Sequence, residues 1–476
     1  MKKIVNQYET DWLASRPIFY NTETAKVSCN INQVIDFDNI EFHPEGFNNY
    51  LNFGYSVFEQ TPIKNVKFMR HSSKLSVYDD NSLEVEYFQD PVEKWLGKTT
   101  NENEVLDLIH EKISIWEKTV SGDIVLPLSG GFDSRLLVSM ISDVSRLKCF
   151  TYGISPNQGE SFEVVHAKEI AERLNLYWRQ IELGDFHNYF EEWNNLFGVS
   201  THAHGMYHIE FYKIMLRKYN GSMNFLSGIV GDAWAGDIRT KKIQNIDDLY
   251  KLGYTHGMSA SSDYSLLSHE RTILGTFFNE NKDKLQSDFY QIITTIRMKI
   301  ILISYLVSVP ESFGFSVFAP FLDMDVALSM LCLPEKRRKN RQWQRDYFEK
   351  NKLDIDNKKI KKSFVNTLNY SAAIRVKLIP LQKKFYTAYI HEKYIDDINN
   401  IYYDCYYFSE KLFDEFMDVI HNNFLSRYLR LPGILYRIRN LFFKLINKKG
   451  YRELFLTKYC AYLTLKPFEY LFGNKK

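Results

Sequence analysis

The stretch from Pro127 to Arg135 carries the residue types needed to bind a phosphate group. It reads Pro-Leu-Ser-Gly-Gly-Phe-Asp-Ser-Arg and follows the apolar run 123–128. Two glycines let a backbone approach an anion closely, and a helix N-terminus directs N–H groups and the positive end of its dipole to the same point. The hydroxyl groups of Ser129 and Ser134 are further donors. This spacing predicts a phosphate or pyrophosphate site.

Asp133, within the same loop, indicates a divalent cation. A carboxylate is unfavourable beside bare phosphate, but Mg²⁺ binds carboxylate and phosphate oxygens together. The loop lacks the lysine of the GxxxxGK[ST] loop of kinase-like NTPases. A tight turn with an aspartate cap is the simpler interpretation of the Ser-Gly-Gly tripeptide alone. The whole string, at the junction of a strand and a helix, favours nucleotide binding instead.

Short apolar runs that alternate with helical patterns place this loop at the edge of a sheet. The predicted strands are 123–128, 147–154, 177–183 and 223–227, and the sequence from 245 to 350 is mostly helical. Such alternation is typical of βαβ units and an open parallel sheet. The predicted fold class is therefore α/β, with a small strand-rich module before the sheet and a helical extension after it. The predicted domains are 1–100, 101–370 and 371–476.

Composition excludes some classes of protein. The chain has 476 residues, 45% of them hydrophobic, which excludes a disordered protein. Its 60 Lys and Arg against 58 Asp and Glu give a net charge of +2, which argues against a dedicated nucleic-acid binder. That balance divides into +10 on residues 421–476 and −8 on the rest. The basic, aromatic tail is open to three interpretations: a helical cap, a membrane-surface helix or a nucleic-acid face.

Several features favour a cytoplasmic protein. The five cysteines are scattered, with no CxxC pair, and the N-terminus has no apolar run of the kind a signal peptide needs. The most apolar stretch, 301–310, is too short to span a membrane and indicates a buried helix. Contact with the inner face of the membrane through the tail is the second expected location. The His-Ala-His-Gly-Met-Tyr-His stretch, 202–208, has poor metal-ligand spacing and favours a structural role or substrate contact.

Taken together, these motifs resemble those of a known family. Ser129-Gly-Gly-Phe-Asp-Ser134 resembles the SGGxDS pyrophosphate loop of the ATP pyrophosphatases, and Leu128 with Arg135-Leu-Leu narrows the resemblance to the synthetase domain of class B asparagine synthetases. Five further stretches agree with that domain in order and spacing: Phe150–Ile154, Glu163–Leu174, Leu226–Asp232, Ala319–Asp323 and Lys359–Phe364.

The resemblance implies an activity and a set of site residues. Members of the family use ATP to adenylate a substrate carboxylate, release pyrophosphate, and convert the acyl-adenylate to an amide. Asp133 and Asp232 match the acids that hold Mg²⁺ and pyrophosphate, and Lys361 and Arg345 match cations at the reacting phosphate. A solvated charge run is the alternative for Lys361. The positions that match the nucleotide-binding residues are Leu128, Ser129, Gly130, Gly131, Asp133, Ser134, Tyr152, Ser227 and Gly228.

Departures from the family pattern alter the expected substrate. Ala233 stands where the family has a glutamate, Ile229 where an acid is common, and Ser316 and Phe318 where a glutamate and an arginine precede the Pro-Phe-Leu-Asp box. These changes predict an acceptor other than aspartate, such as a uronic acid of a surface polysaccharide.

The N-terminal module predicts no glutaminase activity of its own. A glutamine-hydrolysing member needs a cysteine directly after the initiator methionine, where this chain has Lys2. Cys29, the first cysteine, is predicted to be a buried thiol. The amine is therefore expected from free ammonia or a separate glutaminase subunit.

The sequence thus predicts an asparagine synthetase-like ligase that forms an amide on a small carboxylate or a sugar acid, with ATP and Mg²⁺. Two alternatives remain open. One is a catalytically weakened scaffold that only binds the nucleotide, and the other is an RNA-modifying ATP pyrophosphatase, for which nucleic acid would be the partner.

Overall fold

The computed structural model describes residues 2–155, 157–255, 257–268, 270–355, 368–402 and 451–473. Lys361 lies outside the described residues, as does the segment 421–450 of the predicted basic tail.

The first 95 residues form two small antiparallel sheets, as expected for a strand-rich module. One sheet has the order β1-β5-β6 and the other β3-β2-β4. Their strands are β1 Ile4–Glu9, β2 Phe19–Asn21, β3 Val27–Ser28, β4 Val66–Phe68, β5 Ser73–Tyr78 and β6 Leu83–Tyr87. The prediction of a buried thiol at Cys29 is wrong, because this residue follows the end of β3 and is exposed.

The central element is a five-stranded parallel sheet, which confirms the α/β prediction. Its strands are β7 Ile124–Pro127, β8 Leu147–Thr151, β9 Tyr177–Gln180, β10 Asn224–Leu226 and β11 Ser316–Phe318, in the order β11-β10-β7-β8-β9. The first four strands agree with the sequence prediction. The fifth was not predicted, because three residues within a largely helical stretch are too few to show a strand period.

Helices cover the sheet and connect its strands. They are α1 Pro44–Phe53, α2 Glu102–Thr119, α3 Phe132–Met140, α4 Phe162–Arg173, α5 Phe190–Phe197, α6 Tyr207–Lys218, α7 Gly231–Ala235, α8 Leu249–Gly253, α9 Thr272–Asn281, α10 Asp288–Ile303, α11 Tyr305–Ser312, α12 Met324–Leu331, α13 Glu335–Arg338, α14 Gln342–Lys350, α15 Leu368–Arg375, α16 Glu392–Asn399 and α17 Tyr451–Gly473.

The stretch from α10 to α11 is the most apolar helical segment among the described residues. By length and composition, Asp288–Ser312 would be long enough to cross a membrane, which the sequence analysis did not anticipate. However, 61% of its most apolar window is buried within the protein. This burial is typical of the core helix that the run 301–310 predicts.

One hydrophobic core joins all three predicted segments. It includes Phe47 of the N-terminal module, Leu126 of the sheet and Tyr459 of the C-terminal helix. The ring of Phe468 packs edge-on against Phe47, with 5.3 Å between centroids. Most side chains of α17 from Phe455 onward are buried, so this part of the tail is a core helix.

Candidate active site

The candidate site lies at the carboxyl edge of the central sheet. The chain adds β8 on one side of β7 and later returns to place β10 on the other side. In open α/β sheets, ligands bind at the carboxyl ends of the strands where the strand order reverses in this way. A cleft of about 630 Å³ opens there between the loop after β7, α7 and the start of α14.

The backbone of the loop after β7 has a conformation suited to anion binding. Gly130 adopts a φ of +67°, and a Cβ at this position would lie 2.4 Å from the Cβ of His166, so only glycine fits here. Gly131 caps α3 without a side-chain hydrogen bond, which leaves N–H groups of the first turn available to a ligand. The hydroxyls of Ser129 and Ser134 lie 3.2 Å apart beside them.

Two aspartates bring negative charge to this loop. Asp133 lies in the first turn of α3 and Asp232 in α7. Burial, together with the neighbouring Asp232, raises the pKa of Asp133 to about 7, and burial likewise raises the pKa of Asp232. Oδ1 of Asp133 is buried without a hydrogen-bond partner. An unsatisfied buried carboxylate oxygen beside a second acid suits a Mg²⁺ ion whose other ligands come from phosphate and water.

Two arginines, one just before α14 and one within it, line the same cleft as these acids. Nη1 of Arg341 lies 3.7 Å from Asp133, and its Nη2 lies 3.1 Å from Asp237. Arg345 stacks over the ring of Phe132 at 4.9 Å and also lines the cleft. Arg341 was not predicted as a site residue. It ends a run of basic residues, and only the tertiary structure shows which of them faces the cleft.

Lys299 of α10 was also missed. It is partly buried, and burial lowers its pKa while the charge of Asp232 opposes that shift. No ion pair within 4.0 Å involves Lys299 and another described residue. It is therefore a cation near Asp232 that forms no ion pair within the described part of the chain.

The structure brings most of the predicted site residues together. Ser129, Gly130, Gly131, Asp133, Asp232 and Arg345 all line the cleft. Tyr152 follows the end of β8 and Ser227 follows β10, so both lie at the same edge of the sheet. A Cβ on Gly228 would lie 3.4 Å from Asp133. Leu128 is fully buried, and its N–H donates to the carbonyl oxygen of Phe150.

The positions that depart from the family pattern separate into two groups. Ala233 follows Asp232 in α7, Ile229 lies just before this helix, and both are buried. Ser316 is exposed and pairs with Asn224 at the amino edge of the sheet, and Phe318 stacks on Trp116 with 4.8 Å between centroids. Ser316 therefore does not line the cleft that contains Asp133 and Asp232, and its effect on the acceptor stays a prediction.

The histidines of 202–208 form a buried, uncharged cluster. Burial lowers the pKa of His202 and His208 to about 3 and that of His204 to about 4. Nε2 of His208 lies 3.5 Å from the hydroxyl of Tyr152. The cluster therefore reaches Tyr152 at the carboxyl edge of the sheet, and its imidazoles are neutral.

The strand order and the glycine loop at the point of reversal define an open α/β fold of Rossmann-like type. The family model described as asparagine synthase matches residues 122–197, the segment from β7 to α5 that carries the phosphate loop. This match confirms the predicted resemblance and supports an ATP-using, amide-forming ligase as the class of this chain.

The solved structures that the comparison matched include two NAD synthetases, both with TM-scores below 0.5. The NH3-dependent enzyme from Campylobacter jejuni, solved with a nitrate ion, is 14% identical with a TM-score of 0.26 over 44% of this chain and 96% of its own. The glutamine-dependent enzyme from Acinetobacter baumannii, solved with ADP, is 15% identical with a TM-score of 0.21 over 64% of this chain and 53% of its own. No curated protein matches the chain.

Proposed function

We propose that this protein is an ATP-dependent ligase that adenylates a carboxylate and converts it to an amide. The observation that supports this most is the cleft at the carboxyl edge, where the uncapped N-terminus of α3 faces Asp133, Asp232, Arg341 and Arg345. Anion-binding N–H groups, two acids and two cations in one place match the needs of a magnesium–triphosphate group.

In the proposed reaction, a carboxylate oxygen of the acceptor attacks the α-phosphorus of ATP and the bond to pyrophosphate breaks. The loop N–H groups and the hydroxyls of Ser129 and Ser134 hold the departing pyrophosphate, and Arg341 and Arg345 offset its growing charge. Mg²⁺, held by Asp133 and Asp232, would supply further charge neutralisation. An amine then attacks the acyl carbon, loses a proton, and AMP leaves.

We also propose an acceptor other than aspartate. Ala233 and Ile229 replace acidic positions with buried apolar side chains, so this part of the site offers no carboxylate to an α-ammonium group. A sugar acid, which has no such group, is our preferred substrate. The amine is proposed to come from free ammonia or a separate glutaminase, in the cytoplasm, with the tail as a contact to the inner membrane face.

The test is ATP–pyrophosphate exchange with a panel of acids that includes glucuronate, galacturonate and aspartate. We expect exchange with a sugar acid, none with aspartate, and loss of exchange in Asp133→Asn. Asp107→Asn, an exposed change on α2, should leave the rate unchanged. ATP binding without exchange for any acid would favour the scaffold, and a shift of tRNA in a gel at physiological salt would favour the RNA-modifying enzyme.

A further inference from the structure

A second cavity, of about 300 Å³, lies between the N-terminal module and helices α9 and α10. Among the described residues, it shares no lining residue with the cleft at the sheet edge. Much of its wall is apolar and is formed by Leu13, Phe58, Phe68, Met69, Phe277 and Met298. The volume is at the lower end of the range for small-molecule sites.

Part of the charge in this cavity is already neutralised. Arg297 makes two bonds to Asp90, of 2.5 and 2.9 Å. Lys284 pairs with Glu93 at 3.2 Å. These four groups neutralise one another in pairs. Any charge available to a ligand must therefore come from the other ionisable residues of the cavity wall.

The remaining charges in the wall include a guanidinium and a carboxylate that do not pair with each other. The guanidinium of Arg70 stacks on the ring of Tyr87 at 3.8 Å, and its buried Nε has no hydrogen-bond partner. Glu59 accepts a hydrogen bond of 3.0 Å from the hydroxyl of the same tyrosine. Neither residue makes an ion pair within 4.0 Å with any residue that the structure describes. Burial raises the pKa of Glu59, and the charge of Arg70 has a smaller effect in the opposite direction. The two charges therefore influence each other.

The turn that carries Glu59 has an unfavourable backbone. Phe58 and Glu59 have φ values of 57° and 60°, and a bridge between Val57 and Gln60 closes the turn. Two-residue turns with both φ values positive favour Asn and Gly. Residues held in the left-handed region cost free energy and concentrate at ligand sites. Both side chains of this turn lie on the wall of the cavity.

We propose that this cavity binds an α-amino acid with an apolar side chain. Its carboxylate would pair with Arg70, its ammonium group with Glu59, and its side chain would pack against Phe58 and Phe277. An amino acid carries an ammonium and a carboxylate group on the same carbon. Its head group therefore suits a carboxylate and a guanidinium that lie close together without pairing. Burial of unpaired charge is costly, and such a ligand would compensate both groups at once.

The test is calorimetric titration of the full chain, without ATP, with L-phenylalanine, L-leucine and L-methionine. Phenethylamine and 3-phenylpropionate each carry only one of the two charges and should bind at least tenfold more weakly than phenylalanine. Arg70→Met keeps much of the side-chain length without the charge, and we expect at least tenfold weaker binding. Lys26→Met, an exposed change just before strand β3, is the matched control and should bind as the wild type does.

Glu59→Asn separates binding from folding. Asparagine tolerates the left-handed region, so the unliganded variant should melt at the wild-type temperature or above while losing amino-acid binding at least tenfold. The proposal is overturned if none of the amino acids binds at millimolar concentration, or if Arg70→Met binds them unchanged. Because no step of this test uses ATP, its outcome is independent of the proposed ligase activity.

Discussion

Arg135 donates a hydrogen bond of 3.0 Å from Nη2 to the carbonyl oxygen of Gly130, within the phosphate loop. The arginine is 1% exposed and also bonds the carbonyl oxygen of Leu353. Its guanidinium therefore stabilises the backbone of the loop. A buried cation at this point also adds positive potential beneath the proposed pyrophosphate site.

Replacement of this arginine should weaken both the fold and nucleotide binding. Arg135→Lys retains the charge but loses the planar fork that reaches two carbonyl groups. We expect about 2 kcal/mol lower free energy of unfolding and at least tenfold weaker ATP binding. Urea denaturation and calorimetry measure the two effects. Arg146→Lys, a more exposed arginine that also bonds carbonyl groups, should leave ATP binding unchanged, and equal losses in both variants would contradict a role in the loop.

The raised pKa of Asp133 predicts that stability depends on pH. Its value of about 7 lies above the ordinary 3.8, so the folded state binds more protons than the unfolded state between these values. Stability therefore falls as pH rises through 7, by about 2 kcal/mol between pH 5.5 and 8. Urea denaturation in EDTA measures this fall.

Asp133→Asn should flatten that dependence, while Asp107→Asn should retain it. Added Mg²⁺ should reduce the fall in the wild type, because a bound cation stabilises the ionised carboxylates. Identical pH profiles for the wild type and Asp133→Asn would refute the assignment.

Val230, two residues before Asp232, has a φ of +55°, which is unusual for a β-branched side chain. Glycine would remove that strain at the cost of some packing. We expect Val230→Gly to change the free energy of unfolding by less than about 1 kcal/mol. Val307→Gly, at a buried position in α11, should cost at least about 3 kcal/mol. If Val230→Gly lowers the free energy of unfolding as much as Val307→Gly does, the backbone at Val230 is not strained.

Lys299 should lower the pKa of Asp232. Lys299→Met removes a cation near Asp232, which raises the pKa of that carboxyl and favours its protonated form at neutral pH. We expect at least tenfold weaker Mg²⁺-dependent ATP binding at pH 7.0 and partial recovery at pH 8.5. Calorimetry at both pH values tests this. Lys299→Arg should behave as the wild type, as should Lys282→Met at an exposed position.

A buried polar contact links the C-terminal helix to the residues before α5. Nε2 of His187 and the hydroxyl of Tyr459 lie 2.7 Å apart, and burial holds the pKa of this histidine at about 3. Tyr459→Phe leaves the imidazole nitrogen without that partner, so we expect a loss of about 2 kcal/mol in unfolding free energy. Thermal and urea denaturation measure it. Tyr264→Phe, at an exposed residue, should cost less than about 0.5 kcal/mol.

Local patterns in the sequence were sufficient to predict the phosphate loop and four of the five parallel strands. Each of these depends on neighbours in the chain: an apolar run, two glycines and a helical period. Asp133 and Asp232 were assigned to one site by their resemblance to the family's motifs. The fold brings them to one cleft because each follows a parallel strand, and the carboxyl ends of such strands meet at one edge.

Features that depend on distant pairing were decided only by the tertiary structure. The sequence by itself determined the fold class, and it predicted an anion-binding loop. The three-residue strand β11, the exposure of Cys29 and the position of Ser316 at the far edge could not be predicted from local periodicity. Only the tertiary structure shows that Arg341, among several basic residues, pairs with Asp133. It also shows that Arg70 and Glu59 lie on one cavity wall. Both facts depend on the packing of residues that are far apart in the chain. Packing between distant segments sets burial and charge pairing, and no single stretch of sequence contains that information.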